Sequence, residues 1–422
     1  MIGRCISARL MLDGSGGSQV CCSQKQIDGD DHPQWQDRLT NNRLFRLGGI
    51  LLMLNIAICI KRFGRWGGKE TYAVEVAREL VKKGHRVSVF AATADKDLLS
   101  GMAFHKVTGR LSFSNILNTL NFIYETRHLV ADGAFDIVHS HERHYCPDVQ
   151  TLHSFSYRSG MDQYAGLRKF EQKYLSPRSL AYLWLEKRQM HTPWLVAVSS
   201  KVAEDVGNRY HRKDRICVIR PGVDVHTFHP RLIEEGRRKM RARFGIEENE
   251  LAILFVGSAF KRKGLDRLIG ALSPNMRLLV VGTGDHLPLY KKMVAHRGLS
   301  GQVSFLGFIQ DVKPYYAAAD VVALPSRSEA FGMSILEAMA CGLPTIVSGN
   351  AGVADIIEDG RNGCLMRDPD TLPDLLKALS DADVRARIGK MARETAQTRS
   401  WENIAAAHED CYRMIISGKR SR

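Results

Sequence analysis

Residues 326–352 read SRSEAFGMSILEAMACGLPTIVSGNAG. Apolar residues recur at helical spacing from Ile335 to Ala340, which predicts a helix that begins near Gly332 and ends before Gly342. The apolar run PTIVS follows at once and predicts a buried strand. A loop, a helix and a strand in this order are typical of an α/β protein with a parallel sheet.

Two glutamates flank the start of this predicted helix. The free N–H groups and the positive dipole end of a helix favour phosphate or electron-rich hydroxyl groups. Glu329 would then face a cleft and accept hydrogen bonds from sugar hydroxyls, and Glu337, about two turns further on, would hold a ribose diol. The alternative is that Glu329 caps the helix and Glu337 is solvated, and spacing alone favours this alternative.

Apolar runs alternate with helical patterns along most of the chain. MLNIAICI, from residue 53, predicts a strand, ETYAVEVARELVKKG a helix that stops at Gly84, and HRVSVFAA the next strand. The first series continues with FDIVHS, VQTLHS, WLVAVSS and RICVIRPG, and a second series contains LAILFVGS, RLLVVGTG, VSFLGF, DVVALP and PTIVS. The pattern predicts an α/β fold with two Rossmann-like, doubly wound domains that face each other across a ligand-binding cleft.

The predicted division places one Rossmann-like domain at residues 53–222 and the other at residues 223–400. The proline-containing stretch RPGVDVHTFHP is interpreted as the linker between them, and the amphipathic segment 401–418 is predicted to return to the first domain. Residues 1–52 show no apolar periodicity and are interpreted as a disordered extension or a start-site artefact, since Met53 heads the first convincing strand.

Composition and charge narrow the class of partner. The chain has 422 residues and a net charge of +15, which favours anionic partners such as nucleotides, nucleic acid or an anionic membrane. Basic residues are scattered and no nucleic-acid module is recognisable, so nucleic acid is not the expected partner. The nine cysteines form no C-x-x-C pair, which suits a reducing compartment. The uncharged run at residues 47–60 is too short to span a bilayer and is interpreted as a buried strand leading into a loop.

Glycine-containing loops after predicted strands are further candidate sites. VGSAFKRKGLDRLI, residues 256–269, is a plausible diphosphate clamp because its cations can stabilise charge on a leaving phosphate. The alternative is an ordinary solvated basic loop. Gly282 in VVGTGD is a weaker phosphate-loop signal that equally fits a tight turn. Gly68 in GRWGGKE would let the backbone approach a ligand closely.

Histidines cluster after two strands of the first half. HSHERH contains His139, His141 and His144, and His153 lies nearby in TLHS. A zinc site is conceivable, but no carboxylate or cysteine completes a familiar ligand set, so a metal is not expected. His153, at the cleft end of a strand, is better placed to contact substrate hydroxyls.

Together these motifs resemble the retaining glycosyltransferases of family 4, which have the GT-B fold. The resemblance covers residues 53 to about 415, and the matching pieces are GGKE, HSH, TLHS, RPGVDVHTFHP, VGSAFKRKG, VGTGD, VSFLGF and SEAFGMSILEAMACGLP. It implies that the first domain binds the acceptor and the second binds a nucleotide sugar. It also implies that His153 lies beside the transferred sugar, Glu329 contacts that sugar and Lys263 contacts the diphosphate, as the catalytic residues. The implied donor-binding residues are Gly68, Ser258, Arg262, Lys263, Gly282, Phe331, Gly332, Met333 and Glu337.

Two positions depart from the family pattern. Many members have arginine where this chain has Ser258, and Lys261 or Arg262 would have to replace that cation. Many members have glutamate where this chain has Asp355. The Ser258 loop and the length are most similar to lipopolysaccharide-core glucosyltransferases, which implies UDP-glucose as the donor and a lipid-linked core saccharide as the acceptor.

The resemblance also implies a mechanism and a location. Family members generally work without a metal or other cofactor and retain the anomeric configuration, so the protein needs oriented dipoles and cations rather than a nucleophile. The basic and aromatic segment at residues 158–190 predicts contact with an anionic membrane on the cytoplasmic leaflet. Open alternatives are a mannosyltransferase or another hexosyltransferase of exopolysaccharide or capsule synthesis, a non-catalytic carbohydrate-binding protein, and a helical hairpin at 158–190 whose aromatic residues pack in the core.

Overall fold

The computed structural model describes residues 53–108, 114–144, 147–162 and 176–420. The predicted extension at residues 1–52 lies outside the described residues, as does the middle of the predicted membrane-binding segment, residues 163–175. Residues 53–420 belong to one compact unit. Residues 53–222 together with the last helix are called the first lobe below, and residues 223–400 the second lobe; these boundaries stay predictions.

The first lobe is built on a seven-stranded parallel sheet. Its strands and two short neighbours are β1 (Asn55–Cys59), β2 (Arg62–Phe63), β3 (Arg86–Ala91), β4 (Thr93–Ala94), β5 (Met102–Lys106), β6 (Ile137–Ser140), β7 (Val149–Leu152), β8 (Trp194–Ala197) and β9 (Ile216–Val218). The order is β5-β3-β1-β6-β7-β8-β9, with β2 and β4 paired separately. The chain reverses its direction of travel between β1 and β6, and a ligand crevice is expected at the carboxyl ends of these strands.

The second lobe repeats this design with six parallel strands. They are β10 (Leu251–Val256), β11 (Met276–Val281), β12 (Val303–Gly307), β13 (Val321–Leu324), β14 (Thr345–Ser348) and β15 (Cys364–Met366). The order β12-β11-β10-β13-β14-β15 places the reversal between β10 and β13. The loops that leave these two strands are therefore neighbours. The predicted pair of doubly wound parallel sheets is confirmed.

Helices connect the strands and cover the sheets. They are α1 (Gly68–Lys82), α2 (Asn115–Ala131), α3 (Tyr157–Asp162), α4 (Pro177–Gln189), α5 (Ser200–Tyr210), α6 (Arg231–Arg243), α7 (Phe260–Lys263), α8 (Leu265–Gly270), α9 (Leu287–His296), α10 (Lys313–Ala318), α11 (Met333–Ala340), α12 (Leu372–Ala378), α13 (Ala382–Gln397) and α14 (Trp401–Arg420). None of the helices in the described ranges combines the length and the apolar character needed to cross a membrane.

Helix α14 packs against α1 of the first lobe. The Trp401 ring meets the Tyr72 ring edge to face, with centroids 5.6 Å apart. Two linking segments run side by side where the chain passes between the lobes, because Val223 forms a parallel β-bridge with Ser400. An added Cβ on Gly222 would lie 3.0 Å from Trp401, so only glycine lets the linker pass this ring without a shift. The last helix thus lies against the first lobe.

Strands β5 and β15 were not predicted from the sequence. Strand β5 lies at the edge of its sheet and most of its residues are exposed, and MAFHK shows neither a long apolar run nor an alternation of apolar and polar residues. Strand β15 has only three residues. Both are edge strands, which need less apolar surface than the central strands that the sequence identified.

The packing of Trp401 predicts a stability effect. Trp401 is 6% exposed, and Trp401→Ala should lower the free energy of unfolding by about 3–5 kcal/mol because a large aromatic group is lost from the core. Denaturant unfolding measures this change. The matched control is Trp184→Ala, since Trp184 is 48% exposed, and this variant should stay within about 0.5 kcal/mol of the wild type. Equal effects of the two substitutions would contradict the assigned packing.

Candidate active site

The two loops at the strand reversal of the second lobe bring Lys263, Arg262 and Glu329 together. Lys263 ends α7, which follows β10, and Glu329 lies in the loop after β13. Lys263 Nζ and Arg262 Nη1 each lie 3.0 Å from Glu329 Oε2. Arg262 Nη1 also donates to the Ser328 carbonyl at 2.8 Å. Arg262 is therefore the cation that joins Lys263 at Glu329, whereas Lys261 is exposed.

These two cations keep Glu329 ionised. Burial alone would raise the pKa of the Glu329 carboxyl, but attraction to Lys263 and Arg262 outweighs burial and lowers the pKa below its ordinary value. Glu329 and Lys263 are both 13% exposed, and Arg262 is 41% exposed. The result is an anionic acceptor with cationic donors at its side. Such a set can bind both sugar hydroxyls and phosphate oxygens.

Helix α11 begins immediately after this loop. Its N-terminal flanking residue is Gly332, with φ at +113° and no side-chain cap. The interpretation that Glu329 caps the helix is therefore wrong. The first N–H groups of any helix lack intrahelical partners, so those at Met333 and its neighbours suit an anion or hydroxyl oxygens. Phe331 is buried beside them.

Glu337 lies inside α11 in a different environment. The Tyr316 hydroxyl donates to Glu337 Oε2 at 2.6 Å. Burial raises the pKa of Glu337, and the Tyr316 hydrogen bond and the charge of Lys263 offset only part of this effect. Glu337 is thus held in place rather than simply solvated, and its contact with a ribose stays a prediction.

Glycines bring the loops of the second lobe into close contact. A Cβ on Gly257 would lie 2.5–2.8 Å from the end of the Lys263 side chain. A Cβ on Gly282 would lie 2.3 Å from the Gly257 carbonyl oxygen, and the Gly282 N–H donates to the Gly307 carbonyl at 2.8 Å. Gly282 thus packs directly against Gly257, in the loop that leads to Lys263. Ser258 is exposed in that loop.

Helix α1 of the first lobe points its N-terminus at the same place. Gly68 is its first residue, and a Cβ there would lie 3.4 Å from Met333 Cγ of α11. The starts of two helices from opposite lobes therefore converge. The next residue, Lys69, pairs with Glu142 at 2.6 Å. The sequence motifs did not predict this pair, although GGKE contains Lys69.

Three of the four predicted histidines, His139, His141 and His153, cluster with residues of α1 and α14, whereas His144 is buried elsewhere. His153 Nε2 lies 2.9 Å from His141 Nδ1. His139 has both ring nitrogens engaged, with the Tyr412 hydroxyl at 2.6 Å and the Thr151 hydroxyl at 2.7 Å. The described residues contain no group of three His, Cys, Asp or Glu side chains arranged to hold a metal ion.

His408 of α14 completes this cluster and was not anticipated. Its Nε2 lies 2.7 Å from the Tyr72 hydroxyl, and its ring lies 5.3 Å from that of His139. Burial first, and the neighbouring histidines next, hold the pKa of His139 well below the ordinary value. Burial together with nearby Lys69 does the same for the pKa of His153. Both histidines are therefore held in the neutral form at neutral pH.

Two family models match this chain in succession. The model described as Glycosyltransferase Family 4 matches residues 66–227, and the model described as Glycosyl transferases group 1 matches residues 236–395. The chain is a family 4-type glycosyltransferase with the GT-B fold. The first match contains Gly68, His139, His141 and His153, and the second contains Lys263, Glu329 and α11.

Relatives of this glycosyltransferase share most of its length. It is 28% identical to an uncharacterised glycosyltransferase of Methanocaldococcus jannaschii, over 83% of this chain and 95% of that protein. It is also 28% identical to a D-inositol 3-phosphate glycosyltransferase of Xylanimonas cellulosilytica, over 85% of this chain and 94% of that protein. Among solved structures, WaaG, a glycosyltransferase involved in lipopolysaccharide biosynthesis, has a TM-score of 0.72 at 24% identity and covers 85% of this chain and 99% of its own.

Another similar solved structure was determined with a nucleotide sugar bound. HepE of Anabaena, in complex with UDP-glucose, has a TM-score of 0.67 at 19% identity and covers 86% of this chain and all of its own. These likenesses to solved structures show the GT-B fold.

The buried neutral histidines predict acid sensitivity. The pKa of His139, His141 and His153 is well below the ordinary value, and burial lowers the pKa of His408 to about 3. Below about pH 6.5 the unfolded chain binds protons at these histidines and the folded chain does not. The contribution of these histidines to the free energy of unfolding is therefore fully present above about pH 6.5. It falls as the pH decreases, by up to about 1.4 kcal/mol per pH unit for each histidine.

Urea unfolding at several pH values between about 7 and 5 measures this slope. His408→Gln should reduce this slope by the amount that corresponds to one proton, about 1.4 kcal/mol per pH unit, even if the variant is less stable at neutral pH. His191→Gln is the control because His191 is exposed, and the slope should not change. A wild-type stability independent of pH in this window would contradict the neutral cluster.

Proposed function

We propose that this glycosyltransferase transfers a hexose, with glucose expected, from a nucleotide sugar to a lipid-linked bacterial saccharide such as lipopolysaccharide core. UDP-glucose is the proposed donor. The reaction retains the anomeric configuration and needs no metal or other cofactor. The convergence of Lys263, Arg262 and Glu329 on the start of α11 is the observation that carries this proposal.

The charges of the site suit the breakdown of a sugar diphosphate. The diphosphate gains negative charge as its bond to the sugar C1 breaks, and Lys263, Arg262 and the N–H groups of α11 can stabilise that charge. The acceptor hydroxyl forms the new bond to C1, and its proton passes to an oxygen of the departing phosphate. This route keeps acceptor and leaving group on the same face of the sugar, which gives retention.

Glu329 suits hydroxyl binding better than nucleophilic attack. Two cations hold one of its oxygens at 3.0 Å, and this pairing lowers both its pKa and its readiness to share electrons with C1. The neutral His153 is available to hydrogen-bond sugar hydroxyls near the first lobe. Glu337, supported by Tyr316, is the proposed ribose contact.

The proteins similar to this chain support the class of donor and leave two kinds of acceptor. HepE binds UDP-glucose, and WaaG is involved in lipopolysaccharide biosynthesis. The D-inositol 3-phosphate glycosyltransferases favour a second candidate, in which the acceptor is a phosphorylated polyol. A mannosyl or other hexosyl donor for exopolysaccharide or capsule, and a non-catalytic carbohydrate-binding role, stay as alternatives.

Ligand-detected binding against UDP-, GDP- and ADP-sugars tests the donor. UDP-glucose should bind most tightly, and a preference for a GDP-sugar would favour the mannosyl alternative. Turnover assays with truncated lipopolysaccharide core and with inositol phosphate then separate the two acceptors. NMR of the product's anomeric proton reports retention, and activity should survive EDTA. Binding without turnover on any acceptor would favour the non-catalytic role.

Substitutions in the site should remove turnover and leave the fold intact. Glu329→Gln and Lys263→Ala should each cost about 2–4 kcal/mol of transition-state stabilisation, measured as kcat/KM, because each removes a charge from the crevice. Lys261→Ala is the matched control, since Lys261 is exposed in the same short helix. Wild-type turnover in the Glu329 and Lys263 variants would overturn the assignment of the site.

We also propose that the first lobe contacts the anionic cytoplasmic leaflet of the membrane. Exposed side chains of α2 and α4 form one basic and apolar surface, here called the α2–α4 surface: Leu117, Tyr124, Arg127, Leu129, Arg178, Leu180, Trp184, Lys187 and Arg188. The Arg188 guanidinium lies 4.8 Å from the Trp184 ring. Tyr182 is only partly exposed and stacks on Tyr157, so some aromatic residues of residues 158–190 do pack internally. Three aromatic residues of this segment, Tyr164, Phe170 and Tyr174, lie outside the described residues.

Vesicle sedimentation tests this surface. Binding should rise with the anionic lipid content and fall with salt, because the Debye length shrinks from about 10 Å at 0.1 M to about 3 Å at 1 M. The triple variant Arg178→Gln, Lys187→Gln, Arg188→Gln should bind anionic vesicles more weakly. Lys291→Gln with Lys292→Gln is the control, since both lysines are exposed on α9 of the second lobe. Binding that ignored lipid charge and the triple substitution would contradict the proposal.

A further inference from the structure

The start of α5 in the first lobe touches the second lobe directly. Asp355, in a short helical turn of the second lobe, accepts a hydrogen bond from the Ser200 N–H at 2.7 Å. Ser200 is the first residue of α5. Its N–H is one of those that lack a partner within the helix, and a carboxylate also favours the positive end of the helix dipole. Asp355 thus completes a helix that belongs to the other lobe.

Arg220 joins the same junction from the linker between the lobes. Its Nε lies 3.0 Å from Asp355 Oδ2, and its Nη2 donates to the Ser200 hydroxyl at 3.1 Å. Arg220 and Asp355 are only 16% and 10% exposed. A largely buried ion pair with a third partner fixes a geometry more sharply than an exposed pair does. The junction therefore ties three segments together: α5, the linker and the turn that carries Asp355.

This junction is continuous with the loop that carries Glu329. Ser199 donates its hydroxyl hydrogen to the Ala330 carbonyl at 2.7 Å, and Ala330 directly follows Glu329 in the chain. The Gly352 N–H donates to the Glu329 carbonyl at 2.9 Å, and the Val353 N–H donates to the Phe331 carbonyl at 2.8 Å.

Gly352 shows how closely these segments approach. A Cβ at this position would lie 2.0 Å from the Ala330 carbonyl oxygen and 2.6 Å from the Ser199 side chain. The loop at residues 329–331 is therefore enclosed between its own lobe and α5. A shift of α5 relative to the second lobe would displace this loop.

We propose that Asp355 is a positioning residue for sugar transfer. By holding α5 and Arg220, it sets the arrangement of the two lobes in which Glu329 and the start of α11 meet the groups of the first lobe. This inference rests on the proposed function, because it assigns Asp355 a part in the same transfer reaction. It also gives a role to the aspartate that stands where many family members have glutamate.

Two substitutions break the junction from opposite sides. Asp355→Ala removes the acceptor. Ser200→Pro removes the donor N–H together with the hydroxyl that Arg220 contacts. It should leave the helix intact, since proline is well tolerated as the first residue of a helix and the preceding Ser199 is already extended, with φ at −162° and ψ at 162°. Ser200→Ala is the matched control, because it keeps the N–H. Glu358→Ala is the control for charge, since Glu358 is an exposed acid close to Asp355 in sequence.

Kinetics and binding separate positioning from donor binding. Asp355→Ala and Ser200→Pro should each lower kcat by about tenfold or more, because misplacement of reacting groups is costly, and the Kd for UDP should stay at the wild-type value. Glu358→Ala should behave as the wild type, and Ser200→Ala, which loses the hydroxyl but keeps the N–H, should keep a higher kcat than Ser200→Pro. Unchanged kcat in both junction variants, or a loss of turnover that follows a loss of UDP binding, would overturn the inference.

Amide hydrogen exchange tests the junction without any turnover. In the full chain without ligand, both junction variants should show faster exchange at the start of α5 and in the 329–333 loop, while the core strand β10 stays protected. Unchanged exchange in those segments would overturn the inference. Absence of nucleotide-sugar binding by the wild type would instead overturn the proposed function, and the exchange result would still decide whether Asp355 holds the junction.

Discussion

One carboxylate held between two cations organises the second lobe. The reversal of strand order between β10 and β13 makes their loops neighbours, and Glu329 joins them through its contacts with Lys263 and Arg262. Without a carboxylate there, two cations would face each other in a partly buried crevice at a cost in free energy. The same loop leads directly into α11, so the ion pairs also fix where the helix begins. Charge and backbone direction are therefore set together.

The two glutamates of the opening motif differ because of their surroundings. Cations lower the pKa of Glu329, whereas burial raises the pKa of Glu337, which accepts a hydrogen bond from Tyr316. An ionised carboxylate next to cations can exchange partners with an incoming polyol and phosphate. A carboxylate fixed by a tyrosine is better suited to one constant contact. The start of a helix favours anions, and two acids lie close to this one. Lys263 and Arg262 offset the charge of Glu329, and burial disfavours the charged form of Glu337.

Sequence patterns predicted the central strands, because buried parallel strands are apolar throughout. The family resemblance named Lys263 and Glu329 as site residues, and the structure shows that their loops meet at the reversal of strand order. The sequence patterns did not predict β5, whose residues are mostly exposed, or Tyr316, whose role depends on a contact with Glu337 across the fold. The sequence patterns also did not predict the contacts of Asp355. Its partners Ser200 and Arg220 are far away in the sequence, and the motif around Asp355 gives no sign of either.

The crevice depends on both lobes in a way that a single Rossmann-like unit could not provide. Gly68 of α1 lies beside Met333 of α11, and Ser199 contacts Ala330, so the first lobe contacts both the start of α11 and the loop that precedes it. Helix α14 extends this dependence, because it follows the second lobe in sequence yet supplies His408 to the cluster behind His153. Movement of one lobe must therefore change the surroundings of Glu329 and of His153 together. A transferase gains from this coupling, since donor and acceptor groups come into register only when both lobes are in place.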